Sequence, residues 1–322
     1  MRAAAFSALE RGAAWMPSAL VQGGLRAAAG LARFSRFEQR TRANLELALG
    51  RELGDEARAA IARAVRLHAA RQVHDWLRLA RIDPNDPASG RWIEDEVELD
   101  PSFERLQREH ARGRGVLVVT AHLGDWELLA ARLVRAGLRG AVVGRERAND
   151  PAARFFARMR GAYGLRTIRQ SESPREALAV LRSGGVLGLL SDLDVRRLRG
   201  EFVPFLGIPA WTISAPAALA RVAGVPLVPA RCTFDERSGR WRLCVEEPLE
   251  LERDLTREAA RKRLLARQNE VFGRWIRAQP EQWAWHQPRW RTRPESTAGE
   301  VSLQGADEGL GKRSLPRGTV AP

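Results

Sequence analysis

Val116-Leu-Val-Val-Thr-Ala-His122-Leu-Gly-Asp-Trp-Glu127-Leu-Leu129 is the stretch from which the fold is read. Its opening residues are apolar and mostly β-branched, as in a buried strand. Gly124 eases a sharp bend. The acidic, then apolar run from Asp125 to Ala136 has the pattern of a helix. His122 stands in the turn, and Glu127 follows five positions later. Five helical residues turn through about 500°, leaving the two ends about 140° apart. The side chains meet only if His122 precedes the helix and Glu127 opens it. A carboxylate on one imidazole nitrogen fixes the tautomer and leaves the other nitrogen free to take a proton from a hydroxyl. A strand-end histidine beside a helix start accounts for the same residues without chemistry.

Around this stretch, strand and helix patterns alternate. Helices are expected over 41–49, 56–80, 101–113, 152–163, 174–182, 213–223 and 256–278. Strands are expected over 92–100, 141–144, 165–168 and 186–191, with a hairpin made of 225–234 and 240–246. The fold class is α/β, a mixed, largely parallel sheet flanked by helices. Asp192 and Asp194 close the apolar strand Val186–Ser191. Open α/β sheets bind ligands at the carboxyl ends of their strands, the edge that also carries His122. A solvated loop with ordinary ion pairs is the plainer account of the two acids.

The chain has 322 residues, and 53 basic against 39 acidic ones give a net charge of +14. Such a surface attracts anionic partners. Without a basic low-complexity tail, an anionic membrane or an acidic protein is expected rather than nucleic acid. The cysteines, Cys232 and Cys244, flank the hairpin turn and read as free thiols. The five histidines are scattered, so no metal site is expected. Residues 1–40 are rich in Ala, Gly and Leu and punctuated by arginines, which fits a helical, membrane-associating segment. Residues 41–294 form the main domain, and 295–322 read as a disordered tail.

Four blocks occur in order: Ala121-His122-Leu-Gly-Asp-Trp-Glu127; Arg145 with Asn149; Asp192-Leu-Asp194 followed by Val203-Pro-Phe-Leu-Gly207; and Pro280-Glu-Gln-Trp283-Ala-Trp285 with Arg289-Trp290-Arg-Thr-Arg-Pro294. Together they resemble the bacterial lipid A late acyltransferases, with a glycerolipid-acyltransferase-like fold. The resemblance implies transfer of a fatty acyl chain from acyl carrier protein, or acyl-CoA, to a hydroxyl of a lipid A precursor. It implies no cofactor beyond that co-substrate, and a location on the cytoplasmic face of the inner membrane. His122 would be the general base and Glu127 its orienting partner. Arg145, Asn149, Asp192, Asp194 and Arg197 would bind substrate. A lysophospholipid or another glycolipid remains an alternative acceptor, and a non-catalytic basic membrane-binding protein remains a rival. No Gly-x-Ser-x-Gly elbow supports a serine hydrolase.

Overall fold

The computed structural model describes residues 18–144, 150–170, 174–252 and 254–294. In chain order the elements are α1 Ser18–Leu31, α2 Arg36–Leu49, α3 Asp55–Leu79, α4 Trp92–Glu96, β1 Val97–Leu99, α5 Phe103–Ala111, β2 Val116–Thr120, α6 Trp126–Arg135, β3 Gly140–Gly144 and α7 Pro151–Ala162. They continue with β4 Arg166–Arg169, α8 Pro174–Arg182, β5 Val186–Leu190, β6 Gly200–Phe205, β7 Ile208–Ile213, α9 Ala215–Ala223, β8 Leu227–Asp235, β9 Arg240–Val245 and α10 Arg257–Ala278.

Seven strands form one sheet in the order β1-β9-β8-β2-β5-β3-β4. The run β8-β2-β5-β3-β4 is parallel; β9 returns antiparallel to β8, and β1 lies parallel to β9. The mixed, largely parallel sheet is therefore as expected. Every residue of β2 is buried, because both faces of the sheet are covered. Successive side chains point to opposite faces. Leu117 and Val119 accordingly enter the core shared with Phe272 and Trp283, while Val116 and Val118 enter the one shared with Leu128 and Leu129.

Two segments depart from expectation. Residues 92–100 are mostly helix, α4, followed by the short β1. Glu94 and Asp95 in the first turn suit the positive end of a helix better than a strand. Residues 200–213 form the antiparallel pair β6–β7. Its turn, Leu206-Gly207, has positive φ at both residues, a geometry usually signalled by Asn-Gly.

At the amino end, α1 packs on α3 through buried Val21 and Ala29, and Arg66 Nε donates to the Ala29 carbonyl at 3.1 Å. Leu20, Leu31 and Phe34 face solvent. Among the described residues no helix is long and apolar enough to cross a membrane. The rest of the expected amino-terminal segment, 1–17, and the 295–322 tail lie outside the described residues.

Candidate active site

The sheet register builds the site. β2 and β5 are parallel neighbours with Thr120 opposite Leu190. Two residues beyond each lie His122 and Asp192, which meet at the carboxyl edge. His122 Nδ1 is 2.7 Å from Asp192 Oδ1, and the His122 backbone N–H donates to Oδ2 at 2.8 Å. Trp283 Nε1 donates to the same Oδ2 at 2.8 Å. Asp192 is fully buried. Burial alone would raise its pKa, but the charge on His122 and these hydrogen bonds outweigh burial and hold it below the usual range. It is an anion that keeps a proton on Nδ1 and leaves Nε2 as the basic nitrogen.

Asp192, and not Glu127, is thus the carboxylate on His122. The reason lies at the start of α6. Asp125 accepts from the amides of Glu127 and Leu128, both at 2.9 Å, so the helix begins at Trp126. Gly124 permits the approach with φ +62; a Cβ there would lie 1.9 Å from the Cys232 carbonyl oxygen. It is Trp126 that packs edge-on to the His122 ring, with centroids 4.8 Å apart. Glu127, also buried, turns toward α7. Its carboxylate takes two hydrogen bonds from Arg160, one at 2.9 Å from Nε, and another from Tyr163 Oη at 3.3 Å. This charge-paired lock joins α6 to α7.

The other expected site residues fall elsewhere. Asp194 accepts from the Thr292 amide and hydroxyl, and its own amide donates to the Pro288 carbonyl at 2.9 Å. It holds the carboxyl-terminal segment and makes no contact with His122. Arg197 is exposed and donates to Gln170 Oε1 at 2.7 Å. Arg145 and Asn149 lie outside the described residues.

Residues 280–294 form a strap across the site. The Gly124 amide donates to the Gln282 carbonyl at 3.0 Å, and the Ala284 amide to the His122 carbonyl at 2.9 Å. Arg289 is fully buried and donates to the Trp211 carbonyl and to Thr212 Oγ1, with Phe205 under its guanidinium. Burial lowers its pKa to about 10, against the opposing pull of Asp192 and Asp194. The tryptophan- and arginine-rich block therefore both packs on the domain and fixes the His122 and Asp192 loops. Arg160 and Trp283 were not among the expected site residues. Arg160 lay in an unremarkable helix, and the partner of Trp283 depends on the sheet register.

Beyond Trp126, which packs on His122, an apolar cleft runs between α6 and the sheet; it holds about 50 Å³ of cavity, and about 480 Å³ when the open solvent at its mouth is counted. Thr120, Trp126 and Leu190 line it near the carboxyl edge of the sheet; Leu138, Gly140 and Val186 line it at the other end of the strands. Five strand residues span about 13 Å. The lining offers no charged side chain. Among the described residues, no cluster of His, Cys, Asp and Glu could hold a metal ion.

The backbone at the α6 N-terminus, an obvious place to hold a developing oxyanion, is only partly committed: among the described residues the amides of Leu123 and of Trp126, the first helical residue, have no acceptor. The amides of His122, Gly124, Asp125, Glu127 and Leu128 all donate within the protein.

Among curated proteins, phosphatidylinositol mannoside acyltransferases of two Mycobacterium tuberculosis strains are each 29% identical over 193 residues. That match covers 58% of this chain and 58% of each relative, so the chain spans less than two thirds of their length. The enzyme of that name from Mycolicibacterium smegmatis is 26% identical over 282 residues, 85% of this chain and 86% of its own. The family model for bacterial lipid A biosynthesis acyltransferases matches residues 5–292, across the dyad, the lock and most of the strap, and the chain belongs to that family.

Proposed function

We propose that this protein transfers a fatty acyl group from a thioester to a sugar hydroxyl of a membrane glycolipid. His122 Nε2 takes the hydroxyl proton as the oxygen attacks the thioester carbonyl carbon. The C–S bond then breaks, and the imidazolium returns its proton to the departing thiolate. Asp192 stabilises the imidazolium throughout. The acyl chain lies in the apolar cavity under α6, with its carbonyl at the Trp126 end. The observation that carries this is His122 itself, tied through Nδ1 to a buried carboxylate at the edge of a cavity fit for hydrocarbon.

The family match makes a lipid A precursor the first acceptor to consider. The mannoside relatives favour a second, a mannosylated phospholipid. Both present sugar hydroxyls and phosphate at a membrane surface. Acyl carrier protein, an acidic partner suited to the +14 chain, is the donor carrier we favour, with acyl-CoA as the substitute. Exposed Leu20, Leu31 and Phe34, interspersed with Arg26, Arg33 and Arg36, suit contact with an anionic bilayer. We place that contact at the cytoplasmic face of the inner membrane.

The test offers labelled acyl-acyl-carrier-protein or acyl-CoA to the full chain, with a lipid A precursor, a phosphatidylinositol mannoside or a lysophospholipid in anionic vesicles. Label on a sugar hydroxyl supports the proposal and names the acceptor. Label on the lysophospholipid alone overturns the glycolipid assignment, and no transfer in any pairing overturns the enzyme.

A further inference from the structure

Between Ala284 and Pro288 the strap meets α2. Up to Ala284 it is hydrogen-bonded to the His122 turn, and from Pro288 onward to the Asp194 and Trp211 segments. The carbonyls of Trp285 and Gln287 lie in the gap, and both go to one side chain. Asn44 of α2 donates through Nδ2 to the Trp285 carbonyl at 2.7 Å and to the Gln287 carbonyl at 3.3 Å. Two carbonyls can be met only by an NH2 group, so the partners fix which way the amide points. The reaction as derived above gives Asn44 no part.

The helix is a firm platform for this contact. Phe37 and Asn44 are seven residues apart, two turns and about 10 Å along one helix face. Phe37 stacks on His286, centroids 4.2 Å apart, while Asn44 takes the carbonyls on either side of that residue. The neighbouring face buries Leu45 and Leu49 in the core. Glu38, also buried, accepts from Arg42 at 2.8 Å and from Arg66 of α3. Charge and packing thus hold the helix against which the strap lies.

The contact reaches the dyad through two indoles. Trp285 and Trp283 are both buried, and their rings meet edge to face, centroids 4.7 Å apart and planes at 83°. Such a pair constrains the direction of each ring. Trp283 Nε1 in turn donates to Asp192 Oδ2 at 2.8 Å. With its carbonyl held by Asn44, Trp285 backs the Trp283 indole and keeps its N–H on the carboxylate. We infer that Asn44 is a positioning residue for the reaction: by holding the Trp285 and Gln287 carbonyls, it sets the two indoles so that Trp283 donates to Asp192 and Asp192 stays aligned on His122. Asn44 itself touches no reacting atom. The inference rests on the acyl-transfer reading above and extends the support of the dyad from the strap to α2.

Four variants of the full-length protein test it, by steady-state acyl transfer well below their melting temperatures. Asn44→Leu keeps the size and removes both hydrogen bonds. Asn44→Asp keeps the shape and replaces the donor by an acceptor. Trp283→Phe removes the indole N–H, and the fourth variant combines it with Asn44→Leu. The kcat of either Asn44 variant should fall about 10–10²-fold, the effect of a small displacement of catalytic groups, with KM for the acyl donor nearly unchanged. In the Trp283→Phe background Asn44→Leu should cost less than threefold, because the link through which it acts is already gone. Asn44→Leu turning over within threefold of wild type overturns the assignment. So does a Trp283→Phe enzyme as fast as wild type, or an Asn44→Leu loss repeated in full on top of Trp283→Phe. Failure of both Asn44 variants to fold would make Asn44 a packing residue and also overturns it. A wild type that transfers nothing removes this role and the proposed function together, whereas an active wild type matched by Asn44→Leu removes this role alone.

Discussion

Replacing Asp192 by Asn probes the dyad with almost no change of shape. The Oδ2 position receives two donors, the His122 backbone N–H and Trp283 Nε1–H, each at 2.8 Å. The single amide oxygen of Asn must go there, which turns its NH2 toward His122 Nδ1, now 2.7 Å from a carboxylate oxygen. Facing a donor, Nδ1 must give up its proton and accept. The ring takes the Nε2–H tautomer and loses its base. The corresponding change in a serine protease triad lowers kcat about 10⁴-fold. A loss of about 10³–10⁴-fold is expected here, about 4–5.5 kcal/mol at 1.36 kcal/mol per tenfold. Trading a charged acceptor for a neutral one costs stability as well, about 1–3 kcal/mol, and leaves the protein folded. Acyl transfer and urea unfolding of the same preparations give both numbers. Asp192→Asn within tenfold of wild-type kcat would refute the reasoning. The case against it would be complete if Glu127→Gln, still folded, lost the larger factor.

Three further outcomes follow from the neighbouring contacts. Arg160→Ala strands the buried Glu127 carboxylate with Tyr163 as its remaining partner among the described residues and should cost about 3–5 kcal/mol in urea unfolding; a loss under 1 kcal/mol would remove the α6–α7 lock. Asp125 has its pKa raised well above the ordinary value, through burial first and then the charge of Asp75. A raised folded pKa gives stability that is full below the unfolded value, near 3.8, and lost as pH rises through the folded one. Asp125→Asn keeps the helix cap without the charge, so it should outlast wild type at pH 8 and lose that advantage near pH 4, read as melting temperature against pH; a constant gap would count against it. Gly188 lines the cavity, and a Cβ there would stand 3.0 Å from Val142 Cγ1. Gly188→Val should lower kcat/KM for long acyl donors by tenfold or more relative to short ones, and an unchanged preference across donors would move the acyl chain elsewhere.

The parts legible in the sequence are those with local causes. The β-branched run before His122, the glycine bend and the apolar face of α6 announce a strand, turn and helix through period and composition alone. The same logic located β5 and the hairpin β8–β9. The partner of His122 was another matter. Glu127 lies close in sequence, and helix geometry allowed the pairing, but Asp125 starts the helix so that Trp126 meets the imidazole. Asp192 is seventy positions away, brought in by the parallel β2–β5 pairing. Once that register is known, two residues past Thr120 and two past Leu190 name the dyad directly. Asp194 and Arg197 shared the neighbourhood of Asp192 in sequence but point to the strap and to Gln170. Nothing local marks Arg160 either, because its role depends on where α7 crosses α6.

The most direct test of the account is acyl transfer by His122→Ala beside wild type, with both shown folded by thermal melting. Side-chain loss here leaves the buried Asp192 carboxylate with only the His122 backbone N–H and Trp283 Nε1 as donors, so the variant should melt below wild type while remaining folded. The account expects transfer to fall at least 10³-fold, with the apolar cavity and donor affinity intact. A folded His122→Ala protein that transfers at the wild-type rate would contradict it, and would place the chemistry on other residues.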